Sequence, residues 1–265
     1  MKIGVLGNGK LGSLLLQRDG FFPLKCNINQ IKTIESEVNS VQPDLIVNLA
    51  GVSSVEECEK NYPKAIQTNV NGTENLHKVF GHRVLTVSSD HVFSGKSCRN
   101  NEWSTVSPVN NYGFTKIGAE AISYINGGKV IRLSRTVSIE DNDISEWLLM
   151  LYKGEKVYIP TFMYRNFIHR QFSVDGIEYF SKNYDELPWT VHYAGLDNYN
   201  FYNFILLVAD EFGFDRQLVA PRKEDNPSYS PRPRNGGFSV KLAKKLKFPM
   251  YTIYDTVLRM LKETM

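Results

Sequence analysis

Lys2-Ile3-Gly4-Val5-Leu6-Gly7-Asn8-Gly9-Lys10-Leu11-Gly12 opens the chain and decides its fold. Residues 2–6 form an apolar strand candidate, residues 7–12 read G-x-G-x-x-G, and residues 13–18 carry a helical pattern. Strand, glycine turn and helix in that order are the context in which this motif has meaning. The glycines permit a tight turn and bring a pyrophosphate close to the backbone. The helix start then supplies N–H groups and the positive end of its dipole.

Downstream of this unit a dinucleotide site should show a second strand ending in Asp or Glu, roughly 20 residues on, to hold a ribose. Phe21-Phe22-Pro23-Leu24-Lys25-Cys26-Asn27-Ile28-Asn29 arrives early and has no acidic end. The second strand is therefore expected to be short or absent and the adenosine pocket incomplete. Asn29 is placed to cap a helix over residues 30–40, which Pro43-Asp44 breaks. Leu45-Ile46-Val47-Asn48-Leu49-Ala50-Gly51 reads as a buried parallel strand. Residues 52–60 are a polar loop or short helix. Residues 63–80 are helical, with Pro63 suited to a first turn and Asn69 expected to satisfy its neighbours' backbone groups.

A third apolar run, Val84-Leu85-Thr86-Val87, ends in Ser88-Ser89, so a buried strand delivers hydroxyls at its carboxyl end. Ligands of open α/β sheets bind there. After an irregular stretch over 95–109, Ser107-Pro108 signals a helix that carries Tyr112-Gly113-Phe114-Thr115-Lys116. Tyr-x-x-x-Lys arises by chance in many helices, but here it follows the glycine turn and the Ser89 strand. On a helix, positions four apart share one face. Lys116 beside the phenol of Tyr112 is expected to lower its pKa, and Ser89 to hold the same oxygen. Such a set exchanges a proton with a carbonyl oxygen. It makes a site for carbonyl–alcohol interconversion if a hydride carrier lies alongside.

Lys129-Val130-Ile131-Arg132-Leu133-Ser134 is the next strand. The alternation to this point predicts an α/β, Rossmann-like, doubly wound parallel sheet. Thereafter the pattern is piecemeal: helices over 144–152, 172–182, 199–212 and from 242 onward, a strand over 190–194, and a proline-rich connection over 221–233. Residues 1–134 with part of 172–195 are expected to form the dinucleotide-binding domain. Most of 135–265 is expected to form a smaller C-terminal substrate-binding lobe interleaved with it.

The 265 residues carry a net charge of +3, which is too mild to argue for nucleic acid or a membrane surface. No run of 18 apolar residues suggests a span, and the N-terminus lacks the features of a signal peptide, so a cytoplasmic site is expected. Cys26, Cys58 and Cys98 read as free thiols of a reducing compartment. His77, His82 and His192 lack metal-ligand spacing, so no metal is expected. Lys241, Lys244, Lys245 and Lys247 read as the wet face of a helix.

Taken together, these segments resemble the extended short-chain dehydrogenases/reductases, specifically the dTDP-4-dehydrorhamnose reductase family. The resemblance is collinear. It runs through residues 43–51, Thr68-Asn69-Val70-Asn71-Gly72-Thr73, Val87-Ser88-Ser89-Asp90-His91-Val92-Phe93, Glu102, Pro108, the Tyr112–Lys116 stretch, residues 130–134 and Arg232-Pro233-Arg234-Asn235. It implies that Ser89 bonds the substrate carbonyl, Tyr112 delivers the proton, and Lys116 tunes Tyr112 and holds the nicotinamide ribose. It implies cofactor contacts at Gly7, Asn8, Gly9, Lys10, Leu11, Gly12, Asn27, Ile28, Leu49, Ala50 and Gly51, and substrate contacts at Val52, Ser53, His91, Arg135 and Arg165. The implied reaction is hydride transfer from NADPH or NADH (NADP or NAD as cofactor) to C4 of a nucleotide-activated 4-keto-6-deoxy sugar. The default assembly is a homodimer.

Four features depart from the family pattern. The glycine motif is one residue tighter, the segment between Gly12 and Asn27 is shorter, and Asn27 stands where Asp is usual. His91 and Arg135 stand where Tyr and Trp line the sugar, which suits a more polar or anionic sugar. Arg165 is assigned either to the nucleotide diphosphate or to a surface ion pair. Arg232 is assigned to substrate phosphate or to anchoring the C-terminal lobe. Two other functions share the fold: an epimerase or dehydratase with tightly held cofactor, and a non-catalytic regulatory or binding subunit.

Overall fold

The computed structural model describes residues 1–97, 99–223 and 230–264. The first half alternates strand and helix. It runs β1 (Ile3–Leu6), α1 (Lys10–Leu15), β2 (Phe21–Leu24), α2 (Ile31–Val41), β3 (Leu45–Asn48), α3 (Val55–Lys60), α4 (Tyr62–Ile66), α5 (Gly72–Phe80), β4 (Val84–Ser89), α6 (Asn111–Ile125) and β5 (Lys129–Leu133). The second half runs β6 (Thr136–Val137), α7 (Asn142–Tyr152), β7 (Val157–Pro160), β8 (Tyr164–Arg165), β9 (Ile168–His169), α8 (Arg170–Lys182), β10 (Thr190–Tyr193), β11 (Tyr199–Asn200), α9 (Phe201–Phe212), β12 (Val219–Arg222), α10 (Lys241–Lys245) and α11 (Ile253–Leu261). Six strands make one parallel sheet in the order β10-β5-β4-β3-β1-β2. The chain leaves β1 in one direction to reach β2 and then crosses to the other side for β3. The sheet's switch point, where such folds hold ligands, therefore lies between β1 and β3.

The sheet is buried on both faces, as its unbroken apolar strands require. Ile3, Val5, Leu45, Val47, Leu85 and Ile131 pack on one face against Val174, Ile177 and Phe180 of α8. Leu6, Ile46 and Val84 pack on the other against Ile34 of α2 and Leu76 of α5. A separate core joins Ile144, Phe167, Phe204, Ile205, Val208 and Val257 from the later elements. No helix among the described residues is long and apolar enough to cross a membrane.

The second strand, expected to be short or absent, is present and short: β2 is a four-residue edge strand, where Pro23 removes no ladder bond the sheet needs. Other local expectations are corrected. The residue capping α2 is Gln30 rather than Asn29, and the Asn29 amide instead reaches Thr68 Oγ1 at 3.4 Å. The cap of α6 is Asn110, whose Oδ1 accepts from Gly113 N at 2.8 Å, so Ser107-Pro108 lies outside the helix. The long helix expected over 63–80 is α4 and α5 joined by a π-turn at Gln67–Asn71. That turn aims Asn69 out of the helix. Its Oδ1 accepts from Val52 N at 2.7 Å, and its Nδ2 donates to Val52 O at 3.0 Å. The backbone role expected of Asn69 is thus observed. Cys26 and Cys58 are free thiols, whereas Cys98 and part of the proline-rich connection lie outside the described residues.

Candidate active site

A cleft of about 750 Å³ opens at the switch point. One wall is the glycine turn. Gly7 has φ +109°, and a Cβ there would stand 2.6 Å from Ala50 N. A Cβ on Gly12 would stand 1.9 Å from Gly7 O. Both glycines are therefore demanded by the turn itself. Gly9 faces open space, with nothing within 4 Å of where a Cβ would be. Beside the turn run Leu49, Ala50 and Gly51, set by Asn48, whose Oδ1 accepts from Ala50 N at 3.2 Å.

Ser89, Tyr112 and Lys116 meet in this same cleft. Ser89 ends β4, and Tyr112 and Lys116 lie one turn apart on α6. The Ser89 hydroxyl is near enough to the Tyr112 phenol to lower its pKa. Ser89 Oγ also donates to Asp90 Oδ1 at 3.1 Å. The expected lowering of the Tyr112 pKa is not found. Burial dominates and raises the phenol, Ser89 opposes that, and Asp90 and Cys58 add to it. Lys116 takes the opposite displacement: burial lowers its ammonium to about 8, against the pull of Glu120 and Cys58.

The wall of the cleft beside Ser89 and Tyr112 is built on charge. Asp90 is buried, with Oδ2 accepting from Ser134 Oγ at 3.0 Å and pairing with Arg165 Nε at 3.3 Å. Arg165 is thus neither on the surface nor free. Its Nη1 donates to Tyr164 O at 2.7 Å, while the residue lines the cleft. His91 also lines the cleft, edge-on to Tyr112 with centroids 5.4 Å apart. Asn110 Oδ1 is occupied by the Gly113 N–H, so its Nδ2 donates to His91 Nδ1 at 2.9 Å and leaves the imidazole proton on Nε2. Burial lowers His91 to about 4, with Arg165 and Arg232 adding to the effect and Asp90 opposing it. Arg135 Nη2 donates to both oxygens of Asp143, at 2.7 and 2.8 Å, while its buried Nε has no hydrogen-bond partner among the described residues. Arg232 lines the cleft and pairs with Glu56 of α3, bridging from the late chain to the first half.

Sequence reading missed Asp141 and Arg170. Asp141 accepts from Lys10 of the glycine turn at 2.7 Å and from Arg170 at 2.9 Å, and all three line the cleft. The only sequence signal was an acid just before α7. The loop that carries Asp141 is held from below by Glu263, whose Oε2 accepts from Ser138 Oγ and Ile139 N at 3.1 and 3.2 Å. Its other oxygen meets His169 Nε2 at 2.9 Å. Ser53 lines the cleft, whereas Val52 does not, and the Val52 backbone bonds Asn69.

Asn27 and Ile28 fall outside the main cleft. They line a second cavity of about 410 Å³ with Leu24, Lys25, Cys26 and Leu16. Gly7, Asn8 and Ala50 border both spaces. Asn27 and Ile28 therefore border a half-open pocket that continues the cleft along the end of β2.

Residues 1–265 match the family model described as the RmlD substrate binding domain. The spore coat polysaccharide biosynthesis protein SpsK of Bacillus subtilis is 24% identical over 221 residues, covering 78% of this chain and 75% of that protein. Methionine adenosyltransferase 2 subunit beta of Mus musculus is 22% identical over 255 residues, covering 89% and 76%. The crystal structure of dTDP-4-dehydrorhamnose reductase from Bacillus anthracis in complex with NADP superposes with a TM-score of 0.90 at 18% identity, covering 99% of this chain and 100% of that one. That likeness establishes the fold, and the family model spans every residue. The chain belongs to the RmlD substrate-binding family, the dTDP-4-dehydrorhamnose reductase group that its sequence resembles.

Proposed function

We propose that this chain reduces the C4 keto group of a nucleotide-activated 6-deoxy sugar with NADPH or NADH, in deoxysugar biosynthesis. The observation that carries the reading is the meeting of Ser89, Tyr112 and Lys116 with the glycine turn in one cleft at the sheet's switch point. The residues fit a dinucleotide. Gly9 leaves the turn open where a side chain would block close approach, and the cleft continues into the cavity at the end of β2. The family relative from Bacillus anthracis was crystallised with NADP, which supports the same cofactor class here.

When bound, the nicotinamide supplies the hydride. Ser89 and Tyr112 hold the carbonyl oxygen between two hydroxyls. Because burial raises its pKa, Tyr112 remains a protonated acid through the neutral range and gives its proton as the alkoxide forms. Lys116, with its ammonium lowered to about 8, steadies the phenolate left behind. Arg165, Arg170 and Arg232 offer guanidinium groups to the diphosphate of the sugar nucleotide. In this reading residues 1–134, with the helix and strand of 172–195, hold the cofactor, and most of 135–265 holds the sugar. The enzyme works in the cytoplasm as a homodimer, which sedimentation of the purified protein would check.

The deciding experiment follows loss of nicotinamide absorbance with a 4-keto-6-deoxy sugar nucleotide. Tyr112→Phe should fold normally and lose about 10²–10⁴ in kcat. Unchanged turnover in that variant would overturn the mechanism. A wild-type chain that binds neither cofactor would point instead to a non-catalytic binding subunit.

A further inference from the structure

The strand register places a basic residue where the cofactor's adenosine half must pass. β1 and β2 pair in parallel with Leu6 opposite Leu24, so the next residues, Gly7 and Lys25, lie side by side at the carboxyl edge of the sheet. Adjacent strands are about 4.8 Å apart. Gly7 is the first glycine of the pyrophosphate turn. In this architecture the residue at the end of the second strand meets the adenosine ribose. An acid there accepts from the ribose 2′-hydroxyl, whereas a nearby cation accommodates a 2′-phosphate.

This chain has Lys25 at that point, and Lys25 lines the cavity that continues the cleft. Lys25 is exposed, and its ammonium has no ion pair among the described residues. Glu37 of α2 also reaches this strand end, but its Oε1 is held by the Lys25 backbone N–H at 2.9 Å. Asn8, shared with the main cleft, and Asn27 are the uncharged polar side chains of the cavity, and Asn27 Oδ1 accepts from Asn29 N at 3.0 Å. The remaining wall is apolar: Leu16, Leu24, Ile28 and Ala50 suit a flat base rather than a second charge.

We propose that Lys25 is the residue that makes this site select NADPH over NADH, by pairing with the phosphate on the 2′-oxygen of the adenosine ribose. The proposal rests on the reductase reading above and specifies its cofactor.

The test is calorimetric titration of the full chain with NADPH and with NADH, for the wild type, Lys25→Gln and Lys25→Glu. Competition by 2′,5′-ADP against 5′-ADP isolates the adenosine half without any turnover. The wild type should bind NADPH about tenfold or more tighter than NADH, as one charge-assisted contact allows. Lys25→Gln should weaken NADPH and 2′,5′-ADP about tenfold while leaving NADH and 5′-ADP within about twofold. Lys25→Glu should reverse the preference. Equal affinities in the wild type, or a Lys25→Gln loss shared by both cofactors, would overturn the assignment and leave the reductase reading standing. Binding of neither cofactor would overturn both. Lys25 is exposed at an edge strand, so thermal melts of the variants should match the wild type.

Discussion

Asp90 and Arg165 form an ion pair at 3.3 Å with side chains only 4% and 3% exposed, directly beneath the cleft. A buried pair of this kind contributes little net stability while intact, but breaking it leaves a desolvated charge. Asp90→Asn keeps the shape and removes the charge. It should cost roughly 3–5 kcal/mol in urea unfolding at neutral pH. A loss under about 1 kcal/mol would show that Arg165 is solvated or re-paired in solution.

Lys116 gives a pH signature. Its folded pKa of about 8 lies below the ordinary 10.5, so the folded state disfavours the ammonium. Below about 8 both states are protonated and the buried charge costs stability. Between 8 and 10.5 the folded chain releases the proton first, and that cost is relieved. Lys116→Met should therefore be more stable than wild type by roughly 2–3 kcal/mol at neutral pH, with the advantage fading as pH rises toward 10.5. The wild-type reaction rate should fall as pH rises through about 8. Chemical unfolding and kinetics across that range measure both.

The glycine turn separates structural from ligand demands. Gly12→Ala drives a Cβ onto Gly7 O at 1.9 Å, so the turn must open and thermal stability should fall by several degrees. Gly9→Ala meets nothing within 4 Å and should melt within a degree or two of wild type, yet bind cofactor at least about tenfold more weakly. Equal cofactor affinity in Gly9→Ala would place the pyrophosphate elsewhere.

His91 should stay neutral through the physiological range. Burial sets its folded pKa at about 4 against an ordinary 6.5. An unfolded chain takes that proton first, so the contribution of His91 to stability is complete above 6.5 and lost as pH falls toward 4. NMR titration should show no inflection for this ring between pH 5 and 8. His91→Phe keeps a ring against Tyr112 but loses the Nε2–H donor, so KM for the sugar nucleotide should rise about tenfold with kcat within about threefold. A ring that titrates near 6.5 would refute the buried, neutral state assigned to it.

The sheet was legible because Ile3, Val5, Leu45, Ile46 and Val47 sit in unbroken apolar runs whose two faces both need cover. The convergence of Ser89 with Tyr112 and Lys116 was legible for the same reason: strand ends and helix starts of one sheet share an edge. The pKa of Tyr112 was not, because spacing on a helix reports its neighbours and says nothing of desolvation, which here outweighs them. Asp141 and Arg170 were invisible because their role depends on three segments far apart in sequence, meeting only when Lys10 closes the contact at 2.7 Å. The cavity at β2 was hidden because Pro23 interrupts a strand of only four residues, with Phe22 and Pro23 both exposed.

Glu263 gives the molecule an unexpected handle. This residue, well over a hundred positions after the Ser138–Ile139 loop, is what holds that loop in place. A substitution at residue 263 would be felt first at the cleft and only afterwards in the melting curve. Such a variant would differ in activity while looking like the wild type by bulk measures of folding.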